Sequence, residues 1–114
     1  MNDVLKRTLM ELASKCRKYH EFERSLENIK ITKEQLYEIG VKYIVTHETD
    51  TDTAYFFFDE EAKAKEAMKD LYNNHLIKTL KYDSFINEEG TYATVIYRIG
   101  PYNDVDHFFA VHTI

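Results

Sequence analysis

The spacing of apolar residues changes period along this chain, and that change limits its fold more than any motif does. Leu5, Leu9, Leu12, Cys16, Tyr19, Phe22, Leu26 and Ile29 follow one another at intervals of three or four residues. That is the period of an amphipathic helix, and it predicts one long helix over residues 3–29. Asp3 stands where a cap and a negative charge suit a helix N-terminus. Lys6, Arg7, Lys15, Arg17, Lys18 and Arg24 fall on the opposite face. Later in the chain the pattern shifts. Leu80, Tyr82, Ser84 and Ile86 alternate, and Thr91 to Ile99 is rich in β-branched and aromatic residues, both of which are strand patterns. Helical spacing first and strand spacing last calls for helices packed on a sheet.

The segments between fit the same plan. Thr32-Lys33-Glu34-Gln35 is a capping-box sequence that starts a short second helix, and Gly40 sits where a left-handed residue would end it. Val41 to His47 reads as a strand, Glu48 to Thr53 as a polar connection, and Ala54 to Phe58 as the returning strand of a hairpin. The run Phe56-Phe57-Phe58 means either that both faces of this strand are covered, which would make it central, or that one Phe is left exposed for a partner. Asp59-Glu60-Glu61 puts acids in the first turn of a third helix. Ala64, Ala67, Met68, Leu71, Tyr72 and His75 mark its buried face. His107 to Ile114 closes as a last strand. The expected fold is α+β, a mostly antiparallel sheet of about five strands in the order α-α-β-β-α-β-β-β, with helices packed on one face. The 114 residues form one domain, 1–114, in which residues 1–31 are the long amphipathic helix and 32–114 the α+β body.

Composition and motifs exclude more than they assign. Aromatics are 14% of the chain, with only three Gly and one Pro, which rules out disordered and collagen-like classes. The longest apolar run is Ala54 to Phe58, far short of the ~20 residues that span a membrane. A single Cys16 makes no internal disulfide and suits a reducing, cytoplasmic compartment. On the apolar stripe it reads as a small buried hydrophobe, although His20 follows one turn later. Gly40, Gly90 and Gly100 build neither a phosphate-binding loop nor an oxyanion loop. His47, Glu48, Asp50 and Asp52 crowd one loop, and Asp104, Asp106, His107 and His112 crowd the last segment. Their spacing is poor for a metal. His107 and His112, five apart on a strand, face opposite ways, and Asp50-Thr51-Asp52 lacks the Gly and distal Glu of a calcium loop. No metal, no cofactor and no enzymatic activity are expected.

Charge carries the functional expectation. The net charge is −5, unevenly spread. Residues 1–33 hold eight Lys/Arg and five Asp/Glu, whereas residues 34–62 hold one Lys and eight acids. Glu48, Asp50, Asp52, Asp59, Glu60 and Glu61, with the neighbouring Tyr55, are expected to form an acidic, Tyr-containing surface that docks on a basic, nucleic-acid-binding partner protein. Phe, Tyr, Met, Ile, Asn and Lys total 45 residues and Gly, Ala, Arg and Pro total 15, the codon bias of a low-GC genome. The most concrete form of this expectation is a phage or mobile-element inhibitor, anti-CRISPR-like or otherwise anti-defence. The first alternative is a nucleic-acid-associated regulator that uses Lys15, Arg17 and Lys18 on the first helix. The second is a small metal-dependent enzyme at the His/Asp loops. A homodimer through the first helix is the other association considered.

Overall fold

A computed structural model describes residues 2–78, 81–98 and 104–114. Its elements are α1 (Asn2–Lys15), α2 (Tyr19–Asn28), α3 (Lys33–Glu38), β1 (Tyr43–Glu48), β2 (Thr53–Phe58), α4 (Glu61–Lys78), β3 (Lys81–Ile86), β4 (Tyr92–Arg98) and β5 (Asp104–Thr113). The five strands make one sheet in the order β2-β1-β5-β4-β3, antiparallel at every junction. The α+β class and the antiparallel five-stranded sheet are as expected. Leu80 and Ile99, read above as strand residues, lie outside the described residues, as does Gly100.

The expected long helix is two helices. α1 stops at Lys15 and α2 begins at Tyr19, with no Gly or Pro between to mark the break. The cause lies in another part of the chain. The Tyr55 hydroxyl donates to the Cys16 carbonyl at 3.1 Å, and Thr53 Oγ1 donates to the Arg17 carbonyl at 2.5 Å. Side chains of β2 thus take over two carbonyls that a continuous helix would have satisfied internally. Lys18 then adopts extended geometry at the N-cap of α2, and its ammonium donates to the Thr49 carbonyl at 2.9 Å. The apolar stripe survives the bend, because Leu9, Ala13, Cys16 and Phe22 all enter one core. α3 forms as expected. Thr32 Oγ1 accepts from the Gln35 amide at 3.2 Å while Gln35 Oε1 accepts from the Thr32 amide at 2.8 Å, and Gly40 takes a φ of +81°.

Strand alternation divides the interior in two. Ile44 packs with Leu9, Phe22 and Leu36 beneath α1, α2 and α3. Its neighbour Val45 packs with Ala64, Met68, Tyr72, Val95 and Phe109 beneath α4. Adjacent strand residues point to opposite faces, so helices stand on both faces of the sheet rather than on the one expected. The Phe run is resolved the same way. Phe57 packs against the first core and Phe58 against the second, while Phe56 is 40% exposed. β2 is an edge strand; β5 holds the centre.

Lys30, after α2, is the one non-glycine among the described residues with a positive φ, at 60°. A side chain there is strained by its own Cβ. Lys30→Gly is expected to raise unfolding stability by about 0.5–1 kcal/mol, net of the added chain entropy of glycine. Urea denaturation of the two proteins checks it.

Candidate metal centre

Three histidines distant in sequence meet on the α4 face of the sheet. β1 alternation turns His47 to the same face as Val45. β5 alternation does the same for His107, Phe109 and Val111, and the register sets His47 opposite Phe109. α4 lays Ala64, Met68 and Tyr72 on this core, and His75, one turn beyond Leu71, falls on the same side. The ring centroids form a nearly equilateral triangle: His47–His75 4.7 Å, His47–His107 4.9 Å and His75–His107 4.6 Å. Ligand nitrogens of all three lie within 4.8 Å of one another. His47 and His75 are half-buried and His107 is buried. Phe109, fully buried, stacks on the His47 ring at 4.6 Å and forms an apolar floor.

Each ring is held by its surroundings. His75 Nδ1 lies 2.9 Å from the Leu71 carbonyl. That oxygen only accepts, so Nδ1 is the donor and Nε2 is the nitrogen that would ligate. This is the outer hydrogen bond that metal-ligating histidines commonly make. His47 Nε2 and His107 Nδ1 are 2.6 Å apart, close enough to share one proton. Burial, reinforced by His75 and His107, pulls the His47 pKa down to about 4. Burial and then His75 also lower that of His107, against the opposing pull of Asp106 and Asp50. Near neutral pH His47 and His107 are therefore uncharged imidazoles, the form that ligates a metal. A tetrahedral zinc site with Zn–N near 2.0–2.1 Å sets its nitrogens about 3.3 Å apart. Widening the His47–His107 pair by about 0.7 Å and bringing His75 in by up to about 1.5 Å reaches that spacing.

The residues singled out from the sequence are distributed differently. Asp50 and Asp52 are exposed in the β1–β2 loop, whereas Asp59, Glu60 and Glu61 are exposed at the far end of β2, about 17 Å away by strand rise. They do not form one acidic face. Glu48 is half-buried and lies 3.9 Å from Lys18. Tyr55 packs into the first core with its hydroxyl on Cys16, so it is not a free anchor for a partner. On the basic side, Lys15 and Arg17 are exposed, but Lys18 is turned in to hold the bend. Cys16 is buried, and among the described residues no helix is long and apolar enough to cross a membrane. His107 and His112 do face opposite ways, and only His107 joins the cluster. His75 read as core, His47 and His107 as loop and strand polarity. The available signal was that each of the three lies on the inward side of its own element. Compared with known proteins, the chain matches no family model, no curated protein and no solved structure.

The opposite face holds a half-buried imidazole. His112 stacks on Tyr19 at 3.6 Å and bonds Thr46 Oγ1 at 2.9 Å. Burial pulls its pKa from 6.5 down to about 4. Between these values the unfolded chain binds a proton that the folded chain refuses. The associated stability is therefore complete above pH 6.5 and is lost as the pH falls to 4. His112→Gln removes the titration. Between pH 7 and pH 4 the variant is expected to lose on the order of 1–2 kcal/mol less than the parent, allowing for a ring part-open to solvent. Urea titrations at both pH values read the difference.

Proposed function

We propose that this protein is a metal-binding domain that holds a divalent transition ion of the zinc class at His47, His75 and His107. The observation that carries the reading is the convergence of three imidazole nitrogens within 4.8 Å, supplied by β1, α4 and β5. Three imidazoles without a thiolate suit zinc, cobalt, nickel or copper rather than calcium or magnesium. A site of three protein nitrogens leaves a tetrahedral ion one position for water or for an atom of a bound molecule, the pattern of reactive rather than purely structural zinc. Asp50 and Asp106, near enough to pull on His107, supply negative charge that favours a cation beside that ring. The chain's own part is to keep His47 and His107 uncharged, to fix His75 through Leu71 and to give the site an apolar floor in Phe109.

Untagged protein stripped by a chelator tests this directly. Isothermal titration with zinc chloride is expected to show one ion per chain. Zinc at about a hundred times its Kd should stabilise the fold by ~2.7 kcal/mol. Cobalt should give the intense visible absorption of a tetrahedral ion. His75 is a half-buried residue near the end of a helix, and His75→Gln should fold while weakening zinc at least about tenfold. No binding by the folded parent, or binding that His75→Gln leaves unchanged, overturns the reading.

A further inference from the structure

The outer edge of β2 is open among the described residues, since the sheet ends there. An edge strand presents a row of unpaired amides and carbonyls, and proteins usually protect it with charge, proline or a bulge. β2 reads Thr-Ala-Tyr-Phe-Phe-Phe, with no charged residue and no proline, and it pairs with β1 without a register shift. Phe56 is 40% exposed and Met10 of α1 is 65% exposed. Between α1 and β2 runs a groove of about 460 Å³ lined by Met10, Ala13, Ser14 and the strand itself. This is an apolar, strand-shaped surface with hydrogen-bonding capacity left over.

Charge says what fits it. Asp50 and Asp52 stand before the strand and Asp59, Glu60 and Glu61 after it, all exposed. Lys63 and Lys65 lie against the second group, but their ion pairs are exposed and screened, and three carboxylates face two ammoniums. A second copy of this chain fits poorly. Antiparallel self-pairing in register sets Asp52 against Asp59, and parallel self-pairing sets each acid against itself. Like charges at both ends oppose either arrangement. We infer that β2 is a docking edge for an extended segment of a basic protein, a stretch of about six apolar-alternating residues with Lys or Arg at both flanks, added to the sheet as a sixth strand. Main-chain bonds to β2 would supply affinity, Phe56 and Met10 apolar contact, and the two acidic groups the register. The inference is independent of the metal centre, which lies on the α4 face and not along this edge.

The test uses two fluorescent nonapeptides, Lys-Lys-Val-Thr-Val-Thr-Val-Lys-Lys and its counterpart with Glu in place of every Lys. The basic-flanked peptide is expected to bind at least about tenfold more tightly, and to weaken severalfold when salt rises from about 0.05 M to about 0.5 M. Amide exchange at β2 should slow on binding. Phe56→Lys, at an exposed position, should abolish binding. Asp50→Asn with Asp52→Asn, which removes charge and keeps an acceptor oxygen for the Thr53 amide, should weaken the basic peptide and not the acidic one. Equal affinity for the two peptides, no binding, or protection elsewhere than β2 overturns the inference. A dimer of the protein alone that Phe56→Lys dissociates overturns it in favour of a second copy.

Discussion

Antiparallel pairing of β1 with β5 sets Val45 opposite Val111 and His47 opposite Phe109. A slip of one residue would turn every one of these side chains to the other face of the sheet. Val45 and Phe109 would then leave the α4 core, and Ile44 would leave the core beneath α1, α2 and α3. Both cores enforce the same register, because each receives alternate residues of one strand. The histidine cluster depends on that register as fully as the packing does, since His47 and His107 reach each other only across this pair.

Local features were legible wherever local physics decides the outcome. The capping box at Thr32, the left-handed Gly40, the acidic start of α4 and the strand spacing of β1, β2 and β4 all carry their own signals, and each element stands where its signal put it. The break between α1 and α2 carries none. It is set by hydroxyls of Thr53 and Tyr55, more than thirty residues further on, and helical spacing cannot register a distant competitor for its carbonyls. The placing of β2 at the edge, despite three consecutive Phe, also depends on strand order, which periodicity does not encode. The candidate site was hidden for the same reason. Proximity in sequence drew attention to His47 with Asp50 and to His107 with His112, whereas the structure pairs His107 with His47 and His75 and leaves His112 on the far side.

The two faces of the sheet use histidine in contrasting ways. His112 lies alone against Tyr19 and Thr46, where an uncharged imidazole serves as an aromatic surface with one polar atom satisfied. His47, His75 and His107 lie together, and protonation of His47 and of His107 is disfavoured first by desolvation and then by the neighbouring rings. The ion proposed above would use the uncharged form, taking a lone pair from each of the converging rings. The surrounding apolar contacts of Phe109 and Tyr72 strengthen any such electrostatic interaction by keeping water away.

The position of β5 bears on how the molecule assembles. β1–β2 is a hairpin and β3–β4–β5 a run of consecutive antiparallel strands, each able to form early from neighbours in sequence, but the two halves of the sheet meet only where β1 pairs with β5. The hydrogen bond from His47 to His107 joins residues 60 apart, and that from Thr46 to His112 joins residues 66 apart. Closing such loops loses chain entropy before packing returns anything. Pairing of β1 with β5 is therefore the step that closes the longest loop. Until it occurs β1 and β5 each expose a bare edge, and the interval before it is when the chain is most open to pairing with the wrong strand.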